Sequence, residues 1–350
     1  MISVVVPAFN RAHLLGPTLE SLLNQTVPAR EIIVVDDGST DDTAGMAESF
    51  GPSIRVIRQD NRGPGAARNA GFRAAAGEFI HFFDSDDVAM PNKHAAQLAT
   101  LETFGADIAC GPWIKGRFDA NGFHPEDLVL QQHGLPTIDP IKALLSDWSI
   151  VPQACLFRRA IVEAAGGFPE DLKIAEDQLM FLRCLLAGGR LAHSPDTLTL
   201  YRTDGDDKLT TPKPHTLHRQ LWDRAAFLCR ARQDCLQHGF DPADWFGFRG
   251  RAWEADLDLR SHSPPAASGP ASDSPVAELA AIHRGRSPSF LHRLHRAWRR
   301  KSSGLKSRVR GTRAHAHYRT GLLTSHQLTW IDSLPSQKSA GSRKSRPLPQ

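Results

Sequence analysis

The chain has 350 residues, of which 41% are hydrophobic, so it can hold one large domain with extensions or two domains. Its net charge of +4 is unevenly distributed, because residues 261–350 carry sixteen lysines and arginines against three acids (+13) and residues 1–260 carry −9. This balance argues against a nucleic-acid-binding core and suggests an acidic catalytic unit with a basic tail directed at an anionic partner.

The five cysteines are scattered and form no CxxC pair, which is typical of buried, reduced thiols rather than a zinc site or a disulfide framework. The amino terminus lacks the basic and apolar regions of a signal peptide. No run approaches the roughly 18–20 apolar residues of a membrane span. These features predict a cytoplasmic protein.

The first part of the chain alternates between apolar runs and helical patterns. Strands are predicted at 2–6, 31–35, 54–58 and 78–83. Helices are predicted between them, the last over 64–76, and Ser39 or Thr40 is the expected cap of the helix that runs to residue 50. This alternation predicts a mostly parallel sheet with helices on both faces, with ligands bound beyond the carboxyl ends of its strands.

Acidic residues follow two of these strands, at Asp36, Asp37, Asp84, Asp86 and Asp87. Three carboxylates within residues 84–87 repel one another unless a cation or a donor-rich ligand lies between them. Oxygen ligands of this kind suit Mg²⁺ or Mn²⁺. The alternative is a solvated acidic turn in which Ser85 or Asp87 caps the next helix.

Further along, helices are expected over 91–104 and 140–148 and strands over 107–114 and 153–158, and residues 115–138 look loop-rich. Residues 177–187 predict an amphipathic helix and 191–202 contain a strand. Two more helices, over 217–238 and 242–260, are expected to pack onto the domain. From residue 261 the composition is that of a linker, followed by a basic amphipathic segment at 289–300 and a disordered remainder.

Five motifs in this order resemble family 2 glycosyltransferases of the GT-A type. They are VVVPAFN (4–10), EIIVVDDGSTDDT (31–43), NRGPGAARNAG (61–71), GEFIHFFDSDD (77–87) and AEDQ (175–178). The resemblance implies an α/β fold, with a single Rossmann-like GT-A domain at 1–210 built on a mostly parallel sheet. Residues 211–260 then form a helical extension, and residues 261–350 form a Pro/Ser linker and a basic, disordered tail.

The resemblance also implies where the donor nucleotide binds. The loop that cradles it contains Pro7, Ala8 and Asn10, and Asp37 or its neighbour Asp36 accepts the imide N–H of the base. Asp84 contacts the ribose. Arg68 faces the diphosphate or braces the acidic loop.

The same resemblance assigns the metal ligand and the base. Asp86 holds Mg²⁺ or Mn²⁺, with Asp87 as its supporting neighbour or as a helix cap. Asp177 is the general base, beside Glu176. Many relatives carry a His after a Tyr-Arg pair, whereas the pair at 201–202 is followed by no such His, which leaves Lys208 as a weak substitute.

The function implied is metal-dependent, inverting transfer of a sugar from UDP or dTDP to a hydroxyl of a glycan or lipid-linked acceptor, in cell-surface polysaccharide synthesis. The basic tail suggests contact with an anionic membrane surface, and no nucleic acid is expected. One alternative is a catalytically weak nucleotide-sugar-binding or assembly subunit. Another is an aspartate-based phosphotransferase, because residues 84–88 also fit a DxDxV pattern, but the companion motifs of that class and of nucleotidyltransferases are absent.

Overall fold

The structure is a computed structural model, and it describes residues 1–119, 122–130, 134–136, 138–146, 148–204, 214–262, 278–279, 282 and 323–334. The strands are β1 (Ile2–Ala8), β2 (Glu31–Asp36), β3 (Ile54–Arg58), β4 (Phe79–Phe82), β5 (Val88–Ala89), β6 (Ile108–Cys110), β7 (Trp113–Asp119), β8 (Gly122–Leu130), β9 (Cys155–Arg158), β10 (Leu191–His193) and β11 (Thr199–Arg202). The helices are α1 (Ala12–Leu23), α2 (Thr43–Glu48), α3 (Pro64–Ala74), α4 (Lys93–Phe104), α5 (Pro140–Leu144), α6 (Arg159–Ala164), α7 (Glu176–Leu186), α8 (Pro214–Gln237), α9 (Phe246–His262) and α10 (Ser325–Ser333).

Seven strands form a central sheet in the order β10-β6-β9-β4-β1-β2-β3. Its neighbours pair in parallel except where β9 runs antiparallel to β4 and β6. Successive residues of a strand pack into different cores, so that Val5 joins the core on one face and Val4 the core on the other. The predicted α/β fold with a mostly parallel sheet is confirmed.

A second sheet has four strands in the order β5-β11-β7-β8. Residues 115–138 were expected to be loop-rich, and this expectation is wrong, because β7 and β8 pair as an antiparallel hairpin. A Cβ at Gly116 would lie 2.3 Å from the ring of Phe123, so the glycine that resembles a loop signal instead makes room for cross-strand packing.

The helix after β2 is shorter than expected. It ends at Glu48, and its amino-terminal cap position is Asp42 rather than Ser39 or Thr40. The hydroxyl of Ser39 instead accepts a hydrogen bond from the backbone N–H of Asn10, at 2.9 Å. The polar residues after β2 therefore join two loops rather than start a helix.

Helices α8 and α9 pack into the same hydrophobic core as α7. Leu221, Phe227 and Phe248 are buried in the same apolar cluster as Leu179 and Phe181 of α7. The two helices thus lie against the elements that follow the central sheet.

One segment of the predicted disordered tail is a docked helix. Thr324 and Gln327 form a reciprocal cap at the start of α10, and Ile331 packs against the apolar face of the second sheet. The side-chain amide of Gln327 also donates to the backbone carbonyls of Pro195 and Thr197. The predicted helix at 289–300 lies outside the described residues, and within the described ranges no helix is both long and apolar enough to cross a membrane.

Candidate active site

The site lies at the carboxyl ends of the parallel strands β1, β2 and β4. These strands are neighbours in the central sheet, so the loops that follow them meet at one edge. The structure therefore brings together the predicted nucleotide loop, the acids after β2 and the acids after β4. The start of α7 completes the group, because its first residue is joined to the same cluster through an arginine.

The loops after β1 and β2 are joined by a set of short hydrogen bonds. Asn10 has a backbone φ of +54°, and its side-chain oxygen accepts from the N–H of Thr40 at 2.8 Å. Asp36 accepts from the N–H of Ser39 at 2.9 Å, and the carbonyl of Ala8 accepts from the N–H of Asp37 at 2.8 Å. Asn tolerates the left-handed conformation better than most residues, which explains why it stands at this bend.

Asp37 is buried and accepts three hydrogen bonds. Its Oδ1 accepts from the side-chain amide of Gln59 at 2.7 Å and from the N–H of Arg62 at 2.9 Å. Its Oδ2 accepts from the N–H of Gly63 at 2.7 Å. A carboxylate has about four acceptor positions, so this arrangement fixes the carboxylate and leaves it capacity for one more donor.

Arg68, on α3, links the acidic loop after β4 to the start of α7. One of its terminal nitrogens donates to Asp84 at 2.8 Å and the other to Glu176 at 2.7 Å. Its guanidinium also lies 5.3 Å from the ring centre of Phe168. Burial lowers the pKa of Arg68, but the two ion pairs, with half-buried Asp84 and buried Glu176, raise it overall. Two roles were expected for Arg68, namely facing the diphosphate or bracing the acidic loop, and its contact with Asp84 is a contact with the acidic loop.

Glu176, which is buried, and Asp177, which is half-buried, are adjacent carboxylates at the start of α7. Burial and the neighbouring Asp177 raise the pKa of Glu176 to about 7, although Arg68 acts in the opposite direction. Burial raises the pKa of Asp177 as well. The carboxylate of Asp177 accepts from the N–H and the side-chain amide of Gln178, and that amide also donates to the carbonyl of Ile150 at 2.6 Å. Asp177 is therefore held in place on its own helix.

Asp86 and Asp87 have different surroundings. Asp86 faces the guanidinium of Arg11 at 3.9 Å, and its carbonyl accepts from Nε of Arg202 at 3.0 Å. Asp87 is 1% exposed, and it accepts from the N–H of Arg202 at 2.9 Å and from the side-chain amide of Gln153 at 2.8 Å.

The expectation that Asp87 or Ser85 caps the next helix is wrong. The chain first forms β5, and the cap position of α4 is Asn92. Asp87 instead ties the loop to β11 and to residue 153.

Within the described ranges, no three carboxylate, imidazole or thiol groups converge closely enough to bind an ion by themselves. The carboxylate oxygens of Asp86 nevertheless suit a hard divalent cation, provided that the remaining ligands come from substrate phosphates and water. The residues therefore fit a Mg²⁺ or Mn²⁺ that is shared with a diphosphate, with Asp86 as the protein ligand. Lys208 lies outside the described residues.

Sequence reasoning missed three residues that shape this site. Arg11 and Arg202 balance the charge of the acidic loop, and Gln153 holds Asp87. Arg202 belongs to the Tyr-Arg pair at 201–202 that the sequence motifs include. Its contacts with residues 86 and 87 join the second sheet to the loop after β4 of the central sheet. Those contacts depend on tertiary structure, which a single sequence does not reveal.

The fold is that of the GT-A class of transferases. TarS 1–349 of Staphylococcus aureus in complex with UDP-GlcNAc has a TM-score of 0.52 and 23% identity, over 75% of this chain and 71% of that one. The mannosyltransferase PcManGT from Pyrobaculum calidifontis in complex with GDP-Man and Mn²⁺ has a TM-score of 0.51 and 19% identity, over 84% and 82%. At these identities the likeness shows the fold.

Sequence comparison relates part of the chain to a known family. Residues 3–166 match the model of glycosyl transferase family 2. The succinoglycan biosynthesis protein ExoO of Rhizobium meliloti is 33% identical over 208 residues, which are 57% of this chain and 60% of that protein. The poly(ribitol-phosphate) beta-N-acetylglucosaminyltransferase TarS of Staphylococcus aureus is 29% identical over 221 residues, covering 57% and 35%. Over residues 3–166 the chain is therefore similar to glycosyl transferase family 2, and the chain spans about 60% of the length of ExoO.

Proposed function

We propose that the protein is a metal-dependent, inverting glycosyltransferase that moves a sugar from a nucleotide diphosphate to an acceptor hydroxyl. The observation that carries this proposal is the Arg68 bridge, which joins the loop of Asp84 and Asp86 to the carboxylate pair of Glu176 and Asp177. The proposed metal ligand, Asp86, and the proposed base, Asp177, lie in the two segments that this bridge joins. Within this function, residues 1–210 are the transferase domain and 211–260 its helical extension.

The donor is proposed to bind at the ends of β1 and β2. Pro7, Ala8 and Asn10 line the loop at the end of β1. The fixed carboxylate of Asp37, or that of Asp36 beside it, is suited to accept the imide N–H of uracil or thymine, which favours UDP or dTDP. Relatives support a nucleotide-sugar donor, since TarS is known in complex with UDP-GlcNAc and PcManGT in complex with GDP-Man.

The phosphates of the donor are proposed to extend toward the end of β4. Asp84 is proposed to accept from a ribose hydroxyl, and Arg68 donates to it at 2.8 Å. Asp86 would hold Mg²⁺ or Mn²⁺, which when bound neutralises the diphosphate and makes it a better leaving group. Arg11 lies 3.9 Å from Asp86 and balances its charge in the absence of substrate.

Asp177 is the proposed general base. It would take the proton of the acceptor hydroxyl as the oxygen attacks the anomeric carbon and the bond to the diphosphate breaks on the opposite face. Its raised pKa makes it a stronger base than an exposed aspartate, and its bonds to Gln178 fix its direction. Glu176 is already engaged with Arg68, so it serves to support the site.

The acceptor is proposed to be a hydroxyl of a glycan or a lipid-linked glycan in polysaccharide synthesis. The names of ExoO and TarS support this class of acceptor. The basic residues of 261–350 would attach the protein to an anionic cytoplasmic membrane face, at about 1 kcal/mol for each basic residue near the surface. Full-length protein should then sediment with phosphatidylserine vesicles at low salt and be released at high salt. Lack of sedimentation at low salt would remove this part of the proposal.

A catalytically weak nucleotide-sugar-binding subunit is the competing function. The experiment that separates the two measures sugar release from UDP- and dTDP-sugars with Mn²⁺ and with EDTA. We expect turnover with Mn²⁺ only. Asp177→Asn should bind the donor as well as wild type but react at least about a hundredfold more slowly. A wild-type protein that binds donor without turnover would support the subunit, and a Glu176→Gln variant with the larger loss would reassign the base.

A further inference from the structure

Lys115 is held on two aromatic rings of the second sheet. Trp113 and Lys115 are two residues apart on β7, so they share a face, and Tyr201 of β11 is the register partner of Lys115. The ammonium nitrogen lies 5.7 Å from the ring centre of Trp113 and 5.4 Å from that of Tyr201. The two ring centres are themselves 5.5 Å apart. Such stacking fixes the position of a cation.

The face that carries Lys115 is directed at the candidate active site. Trp113 and Tyr201 pack in the apolar core that contains Leu179 of α7, and the N–H of Arg202, the residue after Tyr201, donates to the site carboxylate of Asp87 at 2.9 Å. Burial and the negative charge of Asp87, Asp84, Asp86 and Asp177 also raise the pKa of Tyr201. The opposite face of the sheet is covered by α10, whose Ile331 packs in the same cluster as Ile114 and Leu200. Lys115 therefore lies on the active-site side, next to the ring that is within electrostatic reach of the acids.

Lys115 differs from the arginines of the site in how it is held. Arg68 and Arg202 each form an ion pair with a carboxylate, at 2.8 Å and 2.9 Å respectively. Within the described ranges, Lys115 has no carboxylate within ion-pair distance, and its ammonium group contacts the two aromatic rings. An ammonium group has three N–H donors, and contact with aromatic faces leaves them available to an anion.

We propose that Lys115 binds a phosphate oxygen of the donor diphosphate. This assignment rests on the proposed function and adds a residue to it. When the bond from the sugar carbon to the diphosphate oxygen breaks, the electron pair stays on that oxygen and its negative charge increases. A cation at a fixed position beside the acidic cluster stabilises that charge and donates a hydrogen bond to it. The two rings keep Lys115 from collapsing onto the carboxylates before substrate arrives.

The chain offers a matched control in Lys142. Its ammonium nitrogen lies 5.3 Å from the ring centre of Trp245, so it makes the same kind of contact. It is on α5, and neither it nor Trp245 belongs to the elements that carry the site acids. Lys142→Gln therefore removes a charge and a ring contact of the same type without touching the proposed diphosphate site.

The test is calorimetric titration of the full-length protein with UDP, dTDP and uridine in the presence of Mn²⁺. We expect Lys115→Gln to weaken binding of the preferred diphosphate by about tenfold or more and to leave uridine binding unchanged, because only the diphosphate reaches this position. Lys115→Arg should restore part of the affinity, and Lys142→Gln should match wild type. Melting temperatures of all variants would verify folding.

Two results would overturn the assignment. One is diphosphate binding by Lys115→Gln at wild-type affinity, and the other is an equal loss of diphosphate and uridine binding, which would indicate a distorted site. If the wild-type protein binds none of the diphosphates, the proposed function fails and Lys115 fails with it. If wild type binds UDP or dTDP in a Mn²⁺-dependent way and Lys115→Gln is unaffected, only the Lys115 assignment fails.

Discussion

The ends of β2 and β4 each carry neighbouring aspartates, but they are held by different chemistry. At the end of β2, Asp37 accepts from uncharged donors only, which are one side-chain amide and two backbone N–H groups of residues 59–63. At the end of β4, Asp84 pairs with Arg68 and Asp86 faces Arg11. The carboxylate at the end of β2 is held by neutral donors from one nearby loop, and the carboxylates at the end of β4 are balanced by positive charges.

In the proposed function, the end of β2 recognises the nucleotide base and the end of β4 takes part in the reaction. A carboxylate fixed by backbone amides keeps one shape and suits the recognition of a base edge. Carboxylates balanced by arginines can exchange those partners for a metal ion and phosphates with little change in total charge. In this account, the strand end held by arginines should respond strongly to charge substitutions, and the strand end held by amides should respond weakly.

The largest effect is expected from Arg68→Met. Removing the guanidinium leaves Glu176 buried and Asp84 half-buried without their counter-ion, and breaking the buried Arg68–Glu176 pair costs about 3–5 kcal/mol of folding free energy. Urea denaturation of the variant measures this cost. Arg62→Met is the control, since that side chain is 58% exposed and pairs with Glu170 at the surface, so its loss should cost less than about 1 kcal/mol. Similar losses for the two variants would contradict the central position of Arg68.

The next effect is a pH dependence that originates at the start of α7. The pKa of Glu176 is raised from 4.5 to about 7 in the folded protein, so the folded state binds more protons than the unfolded chain between these values. The free energy of unfolding should therefore fall as pH rises from about 4.5 through 7. Glu176→Gln should flatten this decline, which denaturation curves at several pH values can measure. The exposed Glu163→Gln should not, and an unchanged slope in Glu176→Gln would show that the decline arises elsewhere.

The smallest effect is expected from Asp37→Asn, at the end of β2. The amide keeps one oxygen acceptor but places an NH₂ group against an N–H donor, which costs about 1–2 kcal/mol. Binding of uridine should weaken, whereas the affinity for Mn²⁺ should not change. Asp60→Asn, at an exposed position of the adjacent loop, should leave both properties unaltered. A loss of Mn²⁺ binding in Asp37→Asn would mean that the two strand ends are not separate in function.

Much of this arrangement was predictable from the sequence because it depends on local patterns. The β-branched runs that form β1 and β2 are followed by acids, and parallel strands place such acids at one edge of the sheet. The predicted nucleotide loop, the acids at 84–87 and the pair at 176–177 therefore lie together, although their roles stay proposals.

What the sequence did not reveal depends on contacts between distant segments. The hairpin of β7 and β8 was obscured by glycine, proline and histidine, and its packing around Gly116 becomes visible only in three dimensions. Similarly, Asp87 resembles a helix cap until Arg202 and Gln153 are seen to bind it. The short helix α10 follows a long basic segment, so composition suggested disorder even though its cap and apolar residues support docking.

The central claim is that Asp86 and the donor diphosphate bind one metal ion together. Calorimetric titration of Mn²⁺ into the wild-type protein, with and without saturating UDP or dTDP, tests it most directly, with Asp86→Asn as the variant and the exposed Asp196→Asn as the control. One carboxylate binds Mn²⁺ weakly by itself, so we expect affinity to rise at least about tenfold with the nucleotide in wild type and in Asp196→Asn. Asp86→Asn should lose this increase. Equal Mn²⁺ affinity with and without nucleotide in wild type, or an undiminished increase in Asp86→Asn, would contradict the claim.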